Sequence, residues 1–149
     1  MKAMNATASG AAAVLDRLLD AVNAHQLDAL VACFAEDYLN VTPVHPPRGF
    51  RGREQVRTNW SQIFAAVPDA RARVLRRAVD GAEVWTEWEM DGRRLDGSLF
   101  RMSGVVIFEV RGDAVASARF FLEPVEDTSG DVDAHTRRVT HAAAGAGAS

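Results

Sequence analysis

The sequence has very little cysteine, no long apolar run and no marked excess of charge of either sign. Among its 149 residues there is one cysteine, Cys33, which excludes an internal disulfide and fits a reducing compartment. No apolar run approaches the roughly 20 residues that a membrane-spanning helix needs. The net charge of −3 gives no electrostatic reason to bind nucleic acid or an anionic membrane. We therefore expect a cytoplasmic protein without either partner.

The sequence also lacks the motifs of several common kinds of site. No spacing of histidine, cysteine or carboxylate residues matches a closed metal site, so we expect no metal. Residues 49–52 lack the lysine of a phosphate-binding loop, and no Gly-x-Ser-x-Gly nucleophile elbow occurs. We therefore expect no cofactor.

Three strand-like runs, at residues 84–90, 99–110 and 115–123, organise the predicted fold. The turns between them contain Asp91-Gly92 and Asp96-Gly97, and then Arg-Gly-Asp, and such sequences are typical of β-hairpins. Because alternate residues of a strand point to opposite faces, each run has one nearly pure apolar face. We expect an antiparallel sheet that turns this face inward.

The opposite face of the three runs is mixed, and it has more apolar surface than a solvated sheet would carry. Its large apolar residues are Trp85, Val105, Ile107 and Phe121. We therefore expect a homodimer that forms through this outer sheet face. Its charged residues would form ion pairs across the interface or, if the two faces are reversed, would be the acid and base candidates: Glu87, Arg101, Arg119 and Glu123.

Helical patterns precede the sheet. Their spacing predicts helices over 9–25, capped by Ser9, over 27–36 and over 53–66, with strands at 38–42 and 71–79. This order predicts an α+β fold, in which three N-terminal helices pack in a curled mixed or antiparallel sheet and leave a conical hollow. We expect a flexible N-terminus at 1–8, the cone domain at 9–124, and at 125–149 an acidic, then Ala/Gly-rich tail.

This tail is expected to be mostly disordered. A weak helix over 131–144 could form within it, with Val132 and Val139 facing inward.

Three polar residues near the expected mouth of the hollow are the catalytic candidates. His45 lies on a loop stiffened by prolines, and histidine exchanges protons near neutral pH. Its alternative interpretation is a solvent-exposed loop histidine. Tyr38 and Asn40 share a strand face, where they could orient a substrate oxygen or a water, or could be satisfied by neighbouring backbone.

Eight large apolar residues face the expected hollow. They suit a hydrophobic small molecule with a flat shape, although the alternative is that they fill the hollow as core. These residues are Trp60, Phe64, Trp88, Met90, Phe100, Met102, Phe108 and Phe120.

The order of elements resembles the nuclear transport factor two-like superfamily and, within it, the SnoaL-like polyketide cyclase group. The resemblance covers roughly residues 10–124, and it rests also on Leu-Asp-Ala-Leu at 27–30, Phe-Ala-Glu-Asp at 34–37 and Gly-Arg-Glu at 52–54. It implies the cone fold. It does not imply one activity, because this fold serves isomerases, cyclases, epoxide hydrolases, dehydratases and non-enzymes.

Tyr38 and Asn40 are also similar to the Tyr-x-Asn pair that holds the attacking water in limonene-epoxide-hydrolase-like members. That group needs an Asp-Arg-Asp set as well, and the matching positions here hold Trp88, Met90 and Phe120. No inward Asp pair of the ketosteroid isomerase kind can be placed either. The resemblance thus implies a cofactor-free isomerase, cyclase or hydrolase acting on a hydrophobic oxygenated compound, or a non-catalytic binding or interaction module.

Overall fold

The computed structural model describes residues 7–128 and 130–146, so the expectations for residues 1–6, 129 and 147–149 lie outside the described part. Within this part the chain forms helices and strands in the α+β order expected from the sequence. The helices are α1 (Ala8–Asn23), α2 (Leu27–Ala32), α3 (Arg53–Ala66) and α4 (Val132–Ala146). The strands are β1 (Phe34–Val41), β2 (Phe50–Arg51), β3 (Arg71–Asp80), β4 (Glu83–Arg93), β5 (Leu99–Arg111) and β6 (Ala114–Pro124).

The six strands form one mixed, open sheet in the order β2-β1-β6-β5-β4-β3. Strands β1 and β6 run parallel, and every other neighbouring pair is antiparallel. The predicted inward face is confirmed, since Val84, Trp88 and Met90 of β4 are buried while Trp85 between them is 47% exposed. The sheet and the N-terminal helices make the expected cone.

Helix α1 packs its apolar stripe, which includes Leu15, Leu18 and Val22, into the core of the cone. Its N-cap is Thr7, not Ser9 as predicted, because the Thr7 hydroxyl accepts the hydrogen bond of the Gly10 N–H. The last residue of the helix, Asn23, binds both the N–H and the carbonyl of Ala72 through its carboxamide. This pair of hydrogen bonds attaches the end of α1 to β3.

Two predicted boundaries are wrong for the same reason, which is strand pairing. Helix α2 ends at Ala32, not at residue 36, because Phe34 already pairs with Val115 of β6. Strand β4 continues through Asp91-Gly92 instead of turning there, since Gly92 pairs with Phe100 of β5. The hairpin turn lies further on, around Gly97, whose φ of +84° suits glycine.

The tail contains the helix α4, which Asp131 caps by accepting the N–H of Ala134. Its valines do not face inward, because Val132 is 74% and Val139 is 60% exposed. The division into a flexible N-terminus, a cone domain and a tail stays a prediction. Among residues 7–128 and 130–146, no helix is both long enough and apolar enough to cross a bilayer.

Candidate functional site

A cavity of about 350 Å³ opens between the inner sheet face, helix α3 and the loop that joins β1 to β2. This volume lies within the roughly 300–1,000 Å³ that is typical of small-molecule sites. Most of its walls are apolar or aromatic. The lining residues are Phe34, Tyr38, Asn40, Thr42, His45, Arg48, Phe50, Val56, Asn59, Trp60, Ile63, Met90, Phe100, Met102, Phe120, Leu122 and Glu123.

Five of the eight expected wall residues line this cavity: Trp60, Met90, Phe100, Met102 and Phe120. The other three lie elsewhere. Trp88 and Phe108 are buried core residues whose ring centroids are 5.9 Å apart, and Phe108 packs edgewise against Phe120 from behind. Phe64 stacks on the His25 ring at 4.5 Å. These three residues support the wall instead of forming its surface.

The alternation of β1 places Tyr38 and Asn40 on the same inner face. Both are buried, and the Tyr38 hydroxyl donates a hydrogen bond of 2.8 Å to Oδ1 of Asn40, not to the backbone. Burial raises the pKa of Tyr38, so the hydroxyl stays protonated and remains a donor. With Oδ1 engaged in this way, the Asn40 amide presents its N–H groups for another partner.

The Asn40 amide nitrogen, Nδ2, has no hydrogen-bond partner within the described residues. Buried side-chain polar atoms of the described part all have partners, so this nitrogen is reachable. Asn40 belongs to the cavity lining, and Nδ2 is the part of its amide that keeps its hydrogen-bonding capacity.

His45 lies on a loop that its own hydrogen bonds hold in place. The His45 carbonyl accepts from the Thr42 hydroxyl at 2.7 Å and from the Arg48 N–H at 2.9 Å, and the 3-10 turn Pro46–Arg48 follows directly. The Nε2 atom of the imidazole lies 2.8 Å from Oε1 of Glu123 on β6. The two side chains are 34% and 45% exposed, which places the pair at the cavity mouth.

Glu123 was predicted on the outer face with Arg119 and Phe121, and the structure places it at the cavity instead. Leu122 and Glu123 are consecutive, yet both line the cavity, so strict alternation does not hold at this end of β6. Opposite Leu122 lies Gly104 with φ +154°, a conformation outside the regular strand region. The alternation of inward and outward side chains along β6 therefore does not predict the position of residues after Leu122.

Glu123 was one of four charged residues predicted for the outer sheet face. The other three, Glu87, Arg101 and Arg119, do not line the cavity. Glu87 faces Arg76 at 3.7 Å on the outer face. Arg101 faces Asp127 at 3.3 Å, and Arg119 is exposed. Within the described residues, no two of the four predicted residues pair with each other.

Sequence reasoning missed three polar residues of the cavity lining, namely Thr42, Arg48 and Asn59. Asn59 follows Val56 by three residues on α3, so helical spacing could have placed it beside the predicted apolar stripe. Its Oδ1 accepts a hydrogen bond of 2.9 Å from Gln55. Arg48 lies three residues after His45 on the same proline-stiffened loop. In the described ranges, no group of three or more His, Cys, Asp or Glu side chains could hold a metal ion.

Solved structures of several proteins are similar to this fold. An LEH-like epoxide hydrolase from M. tuberculosis is 18% identical with a TM-score of 0.67, over 78% of this chain and 84% of that chain. A protein from Jannaschia sp. CCS1, provisionally assigned as a SnoaL-like polyketide cyclase, is 17% identical with a TM-score of 0.66, over 83% of this chain and 92% of that chain.

A third similar structure is a hypothetical protein with a ketosteroid isomerase-like fold from Catenulispora acidiphila DSM 44928, which was solved in complex with trimethylamine. It is 18% identical with a TM-score of 0.62, over 78% of this chain and 86% of that chain. At these identities the three likenesses show the fold alone.

A sequence comparison with curated proteins found no match. The family model of the SnoaL-like domain, in contrast, matches residues 15–118. That match begins within α1 and ends within β6, so it covers most of the cone. The SnoaL-like resemblance seen in the sequence is thereby confirmed, and the chain belongs to the SnoaL-like domain family.

Proposed function

We propose that the protein is a cofactor-free enzyme that moves a proton on a hydrophobic, oxygenated small molecule bound in the cavity. One observation carries the proposal: two polar pairs, Tyr38–Asn40 and His45–Glu123, belong to the lining of one cavity whose other walls are largely apolar. Apolar walls with a few convergent polar groups are typical of small-molecule sites. The substrate class that fits is a cyclic ketone or a polyketide-like compound.

The Asn40 amide is the group that would hold the substrate oxygen. Its Nδ2 donates to a carbonyl oxygen, while the Tyr38 hydroxyl keeps Oδ1 occupied and so fixes the orientation of the amide. When a proton leaves the neighbouring carbon, negative charge develops on that oxygen. A donor that is already in place stabilises this charge without having to reorganise.

His45 is the group that would take the proton. If Nε2 carries its hydrogen towards Glu123, the other ring nitrogen, Nδ1, is left as the base. The C–H bond beside the carbonyl breaks, the proton goes to Nδ1, and the electron pair forms the enolate. Glu123 then faces the imidazolium cation that results. Return of the proton to another carbon gives an isomerase, and attack of the enolate on a second carbonyl gives a cyclase.

The test is deuterium exchange in heavy water. A flat cyclic ketone such as tetralone is incubated with the protein, and loss of the protons beside its carbonyl is followed by NMR. Replacing His45→Gln should slow the exchange by about 100-fold or more, the usual contribution of general base catalysis. His135→Gln is the matched control, because His135 lies on α4 outside the cavity lining. If the ketone binds and its exchange does not depend on His45, the proposed mechanism is wrong.

A second candidate function is ligand binding without chemistry. It is favoured by Trp88, Met90 and Phe120, which occupy the positions where an epoxide hydrolase would need its Asp-Arg-Asp set. In that case a ligand would bind tightly with no exchange. His45→Ala would then leave the affinity for it unchanged.

A further inference from the structure

We propose that the ligand of this cavity is an acid, namely an apolar oxygenated molecule with a carboxylate or similar anionic group that Arg48 binds at the mouth. The inference rests on the proposed function, because it names the substrate class of the same site. It comes from the hydrogen-bonding character of the lining and from the pairing of the arginines around the mouth.

The two amides of the lining, Asn40 and Asn59, offer donors, because hydrogen bonds within the chain already engage their oxygens. Oδ1 of Asn40 accepts from Tyr38, and Oδ1 of Asn59 accepts from Gln55. Each of these two amides therefore keeps its N–H groups for another partner. The Thr42 hydroxyl is different, because it donates its hydrogen to the His45 carbonyl and keeps only acceptor lone pairs. A ligand that complements the two amides needs acceptor oxygens and gains little from N–H or O–H groups of its own.

Arg48 adds a positive charge that forms no ion pair with a described residue. Within the described residues, no carboxylate lies at ion-pair distance from its guanidinium. The next arginines of the cavity region are paired, Arg53 with Glu36 at 3.3 Å and Arg57 with Asp28 at 2.7 Å. The planar guanidinium matches the two oxygens of a carboxylate, and the prolines of the 3-10 turn stiffen the backbone that carries it.

Among the described residues, Glu123 is the one carboxylate of the cavity lining, and it faces His45. It repels a ligand anion, so the anionic group should bind on the Arg48 side of the mouth. This leaves the carbonyl end of the ligand for Asn40 and His45. The two charged residues therefore make opposite predictions: loss of Arg48 should weaken binding of an acid, and loss of the Glu123 charge should strengthen it.

The test compares three probes of similar shape: naphthoic acid, its methyl ester and naphthylmethylamine. Their affinities are measured by isothermal titration calorimetry at low ionic strength. The acid should bind about tenfold more tightly than the ester, the effect of one exposed charge-assisted hydrogen bond. Added salt should reduce this preference, because Arg48 is exposed.

The variants make the test specific. Arg48→Gln should remove the preference for the acid without weakening the ester, and Glu123→Gln should strengthen the acid alone. Arg51→Gln is the matched control, since Arg51 is an exposed arginine outside the lining that donates to the Asp37 carbonyl. It should leave all three affinities unchanged.

Equal affinities for acid and ester, tighter binding of the amine, or a preference that survives Arg48→Gln would overturn the inference. Any of these outcomes would leave the proposed function standing if a neutral ketone still exchanged its protons through His45. The reverse result, an acid preference without exchange dependent on His45, would overturn only the proposed function. If none of the three probes binds, the inference is overturned, and exchange of the ketone protons through His45 alone decides whether the proposed function stands.

Discussion

The substitution Gly104→Ala adds a single carbon atom to the sheet, and it should strongly destabilise the fold. Gly104 lies in the middle of β5, between Trp88 of β4 and Leu122 of β6. An added Cβ would lie 2.1 Å from the Phe121 carbonyl oxygen and 2.9 Å from the Leu122 Cα. Both are backbone atoms, so neither can rotate away as the end of a side chain would. Strands β5 and β6 would have to separate locally.

Two terms set the size of the effect. The φ of +154° is a conformation that residues other than glycine rarely adopt, and holding one there costs about 1–3 kcal/mol. Separating the strands gives up one or two ladder hydrogen bonds, at about 0.5–1.5 kcal/mol each. The free energy of unfolding should therefore fall by about 1.5–6 kcal/mol, a large part of the stability of a typical domain.

The assay is urea denaturation followed by tryptophan fluorescence, with Gly97→Ala as the control. Gly97 also has a positive φ, +84°, but nothing lies within 4 Å of the Cβ that alanine would add. Gly97→Ala should therefore lower the free energy of unfolding only by the cost of the positive φ, about 1–2 kcal/mol. If Gly104→Ala costs no more than Gly97→Ala, the close approach of β5 and β6 does not govern stability, and the reasoning fails.

Three further predictions concern the cavity, the pH dependence and the outer face. Tyr38→Phe removes the donor to Oδ1 of Asn40, so it should cost about 1 kcal/mol of stability and also slow ketone exchange; unchanged stability and rate would contradict the role of the pair. A hydrogen bond from Arg111 lowers the pKa of Asp37, so the pair stabilises the fold at neutral pH, and this contribution is lost as the pH falls through the lowered pKa. The difference in urea midpoint between the wild type and Asp37→Asn should therefore shrink on acidification, and a difference independent of pH would exclude the linkage. The exposed outer face around Trp85 is predicted to pair two copies, so light scattering at micromolar concentration should give a dimer that Trp85→Glu converts to monomer, whereas a monomeric wild type would rule out this interface.

Periodicity in the sequence was enough to predict most of the fold. Helix α3 has the predicted bounds, because its apolar residues recur at helical spacing and Pro68 follows its end. The inward face of the sheet also follows from simple alternation. The end of α2 could not be read in this way, because the strand pairing of Phe34 with Val115 decides it, and no local signal reports a contact so distant in sequence.

The candidate site was harder to predict, because its geometry depends on where regular structure breaks. Tyr38 and Asn40 share a face by strand alternation, and they do lie together. The partner of His45 could not be found by the same rule, since alternation assigns Glu123 to the outer face. Its position depends on the irregular end of β6 opposite Gly104 and on the fold of the 42–49 loop. Both are consequences of tertiary structure.

The central claim is that Asn40 holds a substrate oxygen while His45 takes a proton from the carbon beside it. The most direct measurement is a crystal structure of the protein with a bound naphthol, which mimics the enol form of a flat cyclic ketone. We expect the naphthol oxygen at hydrogen-bond distance from Nδ2 of Asn40, with the adjacent ring carbon facing Nδ1 of His45. A naphthol that binds with its oxygen away from Asn40, or that binds on the outer face near Trp85, would contradict the roles proposed for Asn40 and His45.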